Sequence, residues 1–65
     1  MNLKQFYGEK VKIVAGNGTV FLGTVNDYIF PEDNESGKES IVVDTIENQA
    51  IEFNESGIQT IEIIS

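Results

Sequence analysis

The segment Thr19–Ile29, with the sequence TVFLGTVNDYI, decides the fold of this chain. Its β-branched and aromatic residues predict one long β-strand, in which Phe21 and Val25 share a face with Gly23 between them. A glycine inside a strand indicates a sharp bend or the close approach of another backbone. We therefore expect this strand to bend at Gly23, which allows one strand to serve two sheets.

Short strands surround the long one. Upstream, Val11 and Ile13 point to the same side, and Gly18 in the run Gly16-Asn17-Gly18 provides the positive φ of a tight hairpin turn. Isoleucine and valine together number fifteen while leucine numbers two, which is typical of an all-β chain. The fold class predicted is an all-β, five-stranded, strongly bent antiparallel barrel. The last three strands are expected at 41–46, 50–53 and 58–64.

A short helical turn is expected over residues 2–8, before the first strand. Asn2 and Gln5 have the spacing of a capping box, and Gly8 ends the turn. The apolar face of this turn, which must cover part of the barrel, is expected to consist of Leu3, Phe6 and Tyr7.

Residues 31–40 form a polar, acidic run without an apolar side chain. We expect this segment to be a mobile loop rather than a packed one. Its hard oxygen ligands Glu32, Asp33, Asn34 and Glu35 suit Ca²⁺ or Mg²⁺. Their spacing does not follow that of a calcium-binding loop, so we expect a solvated acidic loop and no metal site.

The composition restricts the function classes. With 65 residues the chain forms one domain, 1–65, and it contains no cysteine, histidine, arginine or tryptophan. It therefore has no disulfide and none of the usual zinc ligands, and it lacks the commonest general base and the commonest easily ionised nucleophile. We expect no catalytic residues, no cofactor and no small-molecule substrate.

The charge is unevenly distributed. Residues 1–26 carry a net charge of +2 and residues 27–65 a net charge of −9, which gives −7 for the chain. This asymmetry indicates either a solvated acidic surface or two complementary faces that meet in a head-to-tail oligomer. Both alternatives disfavour nucleic-acid binding without a partner, because such binding depends on lysine and arginine at the phosphates.

Residues 1–6 lack the apolar core of a signal peptide, and no apolar run approaches the roughly 20 residues of a membrane span. We expect a soluble, cytoplasmic protein with no membrane association.

Three parts of the chain occur in a recognisable order: the short helix, the run Phe21–Tyr28 around Gly23, and the run Phe53–Ile61 with apolar residues at 53, 58 and 61. The second part is similar to the first signature of the Sm-like family of small barrels that build RNA-binding rings, and the third resembles its second signature in the apolar positions. More narrowly, the chain resembles the small Sm-like domains found singly in Gram-positive bacteria. The resemblance implies an Sm-like barrel, and the same spacing around one glycine also occurs in SH3-like barrels, our second choice. It further implies that strands four and five provide the edges through which subunits pair.

The chain departs from the family at the positions that bind RNA. An aspartate follows the aromatic residue in RNA-binding members, whereas Ile29 follows Tyr28 here. An arginine–glycine pair in the second signature is replaced by Asn54-Glu55, and a glutamate there repels phosphate. The resemblance therefore implies the fold more strongly than the RNA site.

Four residues are candidates for binding, namely Tyr28, Phe30, Asn34 and Asn54. The two aromatic residues can form a platform for a base or a peptide. In the structural alternative, Tyr28 closes the end of the barrel and Phe30 packs beneath the 31–40 loop. Ile64, out of phase with Ile61 and Ile63, is the candidate for an oligomer contact at the last edge strand, and packing against the N-terminal helix is its structural alternative.

These observations favour a non-enzymatic Sm-like or SH3-like module that assembles with itself or with another protein. The first alternative is an RNA-binding Sm-like ring that uses Tyr28 and Asn34 for bases and Lys4, Lys10 and Lys12 for phosphates. The second is an acidic mimic of nucleic acid that binds and inhibits a basic protein.

Overall fold

A computed structural model describes residues 1–64 as a small all-β protein with one five-stranded antiparallel sheet, which confirms the expected fold class. Short 3-10 helices occupy Leu3–Phe6, Pro31–Asp33 and Glu55–Gly57. The strands are β1 (Lys10–Ala15), β2 (Val20–Ile29), β3 (Ser40–Thr45), β4 (Ala50–Asn54) and β5 (Ile58–Ile63).

The strand order is β4-β3-β2-β1-β5, so β4 and β5 form the two edges of the sheet. Four flat inter-strand spacings place the edges of a five-stranded sheet about 19 Å apart. The three-residue helix Glu55–Gly57 joins these edges, and the four steps from Asn54 to Ile58 span at most about 14 Å when extended. The sheet must therefore curl until its two edges approach each other at this connection.

Gly23 lies on the central strand where β3 approaches β2 closely. It is paired with Val11 on β1 and with Thr45 on β3. A Cβ atom built at Gly23 collides with the Asp44 carbonyl oxygen and lies 2.7 Å from Cγ1 of Val43 and 2.8 Å from Cα of Thr45. Only glycine allows this approach of β2 to β3.

A β-bulge adds to the curvature of β2. The register between β2 and β3 shifts between Val25 and Asp27, which leaves Asn26 outside the regular pairing. The Asn26 side chain donates a hydrogen bond to Oδ2 of Asp44 at 2.6 Å. The sequence pattern indicated the bend at Gly23 but contained no sign of this bulge.

The core fills the inner face of the curled sheet. Phe21 and Phe53 meet edge to face with 5.1 Å between ring centroids, and Ile51 also packs against the core. The buried apolar residues come from the N-terminal helix and all five strands: Leu3, Phe6, Val11, Ile13, Val25, Ile41, Val43, Phe53 and Ile58.

The N-terminal helix covers the core with two residues rather than three. Leu3 and Phe6 are buried, but Tyr7 is 58% exposed, so its predicted place on the apolar face is wrong. A 3-10 helix has three residues per turn, which aligns positions 3 and 6 and turns position 7 away. The predicted capping box is also wrong, because Asn2 makes no side-chain cap and the Gln5 side chain donates to the Asn2 carbonyl instead.

The hairpin between β1 and β2 is closed by Gly18, which adopts a φ of 87°. Its N–H donates to the Ala15 carbonyl at 2.9 Å, and the Asn17 side chain accepts from the Thr19 N–H at 3.0 Å. The longest helical element in residues 1–64 has four residues, so no helix described there can cross a membrane.

Candidate functional site

The segment 31–40 is more ordered than a bare polar loop. It begins with the 3-10 helix Pro31–Asp33, and the Asn34 side chain donates to the Lys38 carbonyl at 2.7 Å. At its end Glu39 is 7% exposed and Ser40 is fully buried as the first residue of β3. The prediction of an unpacked loop is therefore wrong at its C-terminal end.

Ser40 accepts hydrogen bonds from the side-chain amides of both candidate asparagines, Asn34 and Asn54. Its Oγ accepts from Nδ2 of Asn34 at 2.9 Å and from Nδ2 of Asn54 at 3.2 Å. Asn54 also donates to Oγ of Ser36 and accepts from the backbone and side chain of Ser56. The structure thus brings Asn34 and Asn54 together, with their amides engaged in hydrogen bonds within the fold.

Glu39 forms a second buried polar cluster. Its Oε2 accepts from the Leu3 N–H at 3.0 Å, and its Oε1 accepts from the Tyr28 hydroxyl at 2.7 Å. The carboxylate therefore ties the N-terminal helix to β2 at the end of the barrel. The hydrogen bond to Glu39, with burial and nearby carboxylates, raises the pKa of Tyr28 to about 12.

Phe30 is the exposed member of the predicted aromatic pair. Its ring meets Tyr28 edge to face at 5.1 Å and is 45% exposed, so the alternative in which Phe30 packs beneath the loop is wrong. Nζ of Lys4 lies 5.3 Å from the centroid of the Phe30 ring, within the range of a cation–π contact. An exposed ring beside a cation can stack against a base or another planar group.

The electrostatic surroundings of this aromatic pair are unfavourable for phosphate. The carboxylates of Glu39, Glu32 and Glu55 all contribute to the raised pKa of Tyr28. Glu55, at the position where the Sm-like resemblance leads us to expect glycine, is 3.2 Å from the N-terminal amine of Met1. Lys4 and the N-terminal ammonium are thus outnumbered by three carboxylates in this region.

Ile64 lies at a groove on the outer face of the sheet rather than against the N-terminal helix. Its N–H donates to the Lys10 carbonyl at 2.9 Å, which continues the pairing of β5 with β1. Its side chain lines an open groove of about 310 Å³ together with Leu22 and Ile46. Ile63 and Ile64 are 48% and 43% exposed, so the end of β5 presents two isoleucines to solvent.

The free sides of β4 and β5 carry alternating backbone groups. Hydrogen bonds from Ile64 to Lys10, and from Thr45 to Gln49, fix which residues of each edge strand bond inward. Because this bonding alternates along an antiparallel pair, the backbone groups of Ile61 and Ile63 on β5, and of Glu52 on β4, point away from the sheet. No strand among residues 1–64 pairs with either free side.

Sequence reasoning missed Glu39 and Ser40, the centres of the two polar clusters. A signal for Glu39 was present, because it lies two residues before Ile41 and four before Val43, and alternate residues of a strand share a face. The polar character of 31–40 concealed it. Within the described chain, 1–64, no three acidic side chains converge to hold a metal ion.

No protein-family model matches the chain, and searches of the curated proteins and of the solved structures also found no match. The functional argument therefore rests on the chain's own geometry.

Proposed function

We propose that this protein is a non-enzymatic Sm-like module that works by pairing its edge strands with those of further copies of itself. The observation that carries the proposal is the sheet order, which leaves β4 and β5 open on opposite edges of one curled sheet. Two different free edges allow head-to-tail association, in which each copy offers one edge to each of two neighbours. If the rotation between copies closes, the product is a ring.

The sequences of the edge strands support this proposal. Soluble proteins protect their edges with lysine, proline or bulges that prevent further pairing. Neither Ala50–Asn54 nor Ile58–Ile63 contains lysine or proline, and the single charged residue of each strand is a glutamate. The one register shift of β5 leaves Gln59 outside the regular pairing and lies before the free backbone groups of Ile61 and Ile63. The half-exposed Ile63 at the end of β5 adds apolar surface beside the free backbone groups.

The Sm-like assignment within this proposal is supported by the arrangement of the elements. A short N-terminal helix precedes a long, bent β2 that contains Gly23, and strands four and five form the edges. The non-enzymatic part is supported by the side chains present. Histidine and cysteine are missing from the sequence, and the buried carboxylate of Glu39 is occupied by two hydrogen bonds that hold the fold.

Solution mass tests the proposal, measured by light scattering with refractive-index detection. The wild-type chain is expected to have a mass several times 7.2 kDa. Glu52→Pro removes a backbone N–H that points to the free side of β4, so it should reduce the mass while the β3–β4 pairing remains. Glu52→Thr, which keeps the N–H, is the matched control and should assemble like the wild type. A wild-type mass of a single chain overturns the proposal.

RNA binding is the second candidate function, and the exposure of Phe30 beside Lys4 is the observation that favours it. If the ring stacks on bases, Phe30→Ala should weaken the binding of a labelled uridine-rich oligonucleotide, measured by fluorescence anisotropy at low salt. Tyr7→Ala removes a comparably exposed aromatic residue from another position and should leave binding unchanged. Absence of binding at low salt, where phosphate contacts are strongest, contradicts this candidate.

A further inference from the structure

The outer face of the sheet carries a second apolar surface that edge pairing does not use. We define the outer-face groove by its lining residues Lys10, Leu22, Thr24, Asp44, Ile46 and Ile64. Ile46 is 72% exposed and Ile64 is 43% exposed. Three large aliphatic side chains thus meet in one shallow groove.

The strand residues around the groove carry balanced charges, whereas the chain as a whole is acidic. The two cross-strand rows at the groove place two lysines, Lys10 and Lys12, and two carboxylates, Asp44 and Glu62, on the outer side. The net charge of the chain is −7, but these four charges cancel. The other two carboxylates at outward-facing strand positions, Asp27 and Glu52, lie beyond the β-bulge. Glu47, in the turn after Ile46, is the exposed carboxylate that follows the groove in the sequence. A second copy centred on the groove therefore meets less repulsion than the net charge of the protein predicts.

The charges beside the groove are also arranged symmetrically. Lys10 on β1 and Asp44 on β3 are both paired with Thr24 on β2, so the three residues form one row across the sheet with β2 at its centre. The Asn26 side chain holds the Asp44 carboxylate through a 2.6 Å hydrogen bond. The cation and the anion thus stand on opposite sides of a central strand.

This row is complementary to itself. A two-fold axis that runs parallel to β2 between two stacked outer faces exchanges the β1 side of one copy with the β3 side of the other. Lys10 of each copy then faces Asp44 of its partner, and Leu22 faces Leu22 near the axis. Stacked sheets pack about 10 Å apart, which is within reach of a lysine and an aspartate from opposite faces.

We propose that the outer-face groove is a docking surface for a second copy of this chain, in a two-fold, back-to-back pair. The aliphatic residues of the groove supply the buried apolar area, and the two Lys10–Asp44 pairs set the orientation. This contact is separate from the edge strands, so it joins two single chains or two edge-paired assemblies in the same way.

Charge reversal in the Glu52→Pro background tests the proposal, because edge pairing is weakened there. In this background the chain should reach twice 7.2 kDa as its concentration rises in sedimentation equilibrium. Lys10→Glu sets two carboxylates against each other at each of the two contacts, and Asp44→Lys sets two ammonium groups against each other. Each variant alone should therefore associate at least about tenfold more weakly than the background chain.

An equimolar mixture of these two variants supplies the decisive control. In the mixed pair both contacts are again between opposite charges, so association should return to the level of the background chain. A contact between Lys10 and Asp44 within one chain cannot be restored by mixing. Ile46→Ser should weaken association in every combination, because it removes exposed apolar area without changing charge.

Three outcomes overturn the proposal: a background chain that stays single at every concentration, single variants that pair like the background, or a mixture that does not recover. The first of these excludes a second copy of the chain as the occupant of the groove. None of them bears on edge pairing, which is measured by the wild-type mass and by the difference in mass between Glu52→Pro and its control Glu52→Thr.

Discussion

Two regions of the molecule differ in how many of their groups have a partner within the fold. One is the polar end, formed by the Glu39 and Ser40 clusters, and the other is the open sides, formed by the free edges of β4 and β5 and the outer face of the sheet. At the polar end, the Glu39 and Ser40 clusters engage the side chains of Tyr28, Asn34 and Asn54 in hydrogen bonds within the fold. Among the described residues no buried side-chain nitrogen or oxygen lacks a partner. On the open sides, the outward-facing backbone groups of both edge strands have no partner within residues 1–64, and Ile46, Ile63 and Ile64 are exposed.

This difference shows where function is to be sought. Candidate residues chosen for their chemistry, such as Asn34 and Asn54, are used to hold the end of the barrel together. The groups without a partner in the fold are backbone N–H and C=O groups of the edge strands and exposed aliphatic side chains, which carry no special chemistry but can bind another chain. Edge pairing and outer-face docking both use these available groups.

Substitution of Gly23 gives the largest expected loss of stability. The curled sheet that carries both regions depends on the close approach of β3 to β2 at this residue. Gly23→Ala should lower the free energy of unfolding by about 3 kcal/mol or more, since the added Cβ collides with backbone atoms that cannot yield. Urea unfolding measures the change. Gly57→Ala is the matched control, with no atom within 4 Å of its added Cβ, and should change stability by less than about 0.5 kcal/mol. Equal stability of the two variants would remove the close approach at Gly23 as the reason for the bend.

Glu39→Ala tests the first polar cluster directly. It leaves the Leu3 N–H and the Tyr28 hydroxyl without their acceptor, at an expected cost of about 2 to 3 kcal/mol in thermal or urea unfolding. Glu35→Ala removes an exposed glutamate from the same segment and should be nearly neutral. If the two alanine variants unfold alike, the polar end is not consolidated by Glu39.

Ser40→Ala tests the second cluster with a smaller expected cost, about 1 to 2 kcal/mol, because the two asparagine amides retain other acceptors nearby. Ser36→Ala, at an exposed position, is the matched control and should cost less. A neutral Ser40→Ala would return Asn34 and Asn54 to the candidates for ligand binding.

The titration of Tyr28 gives a spectroscopic measure of the polar end with little change in fold. Its pKa of about 12 lies above the ordinary value of 10.0, so its contribution to stability is complete below about pH 10 and is lost as the pH rises to about 12. Tyr7→Phe leaves Tyr28 as the only tyrosine, and ultraviolet absorbance then follows its phenolate alone. Adding Glu39→Gln should lower the midpoint, because the charged acceptor is gone. An unchanged midpoint would contradict the hydrogen bond to Glu39 as the main cause.

The sequence predicted the parts of the fold that depend on alternation and turn residues. The five strands, the hairpin at Gly18 and the close approach at Gly23 all follow from local patterns. The bulge at Asn26 and the rotation of Tyr7 out of the apolar face did not, because they arise from tertiary pairing and from the choice of a 3-10 over an α-helix.

The candidate site was predicted less completely than the fold. Phe30 and Ile64 are exposed as a binding role requires, and their roles in binding stay predictions. Asn34, Asn54 and Ser40 lie 6 to 20 residues apart in the sequence, so their convergence depends on the pairing of β3 with β4 and was not visible from local spacing. Long-range pairing is the physical step that sequence patterns alone do not specify.

Hydrogen exchange at the free edges tests the central claim most directly. In a single copy the amides of Glu52, Ile61 and Ile63 face away from the sheet and have no partner in residues 1–64. If edge strands pair between copies, these amides should be protected from exchange, and the Glu52→Pro variant should lose the protection at Ile61 and Ile63 while that at the Ile13 amide of β1 remains. Exchange at Ile61 and Ile63 as rapid as in the exposed 35–38 turn of the wild-type protein would contradict edge pairing.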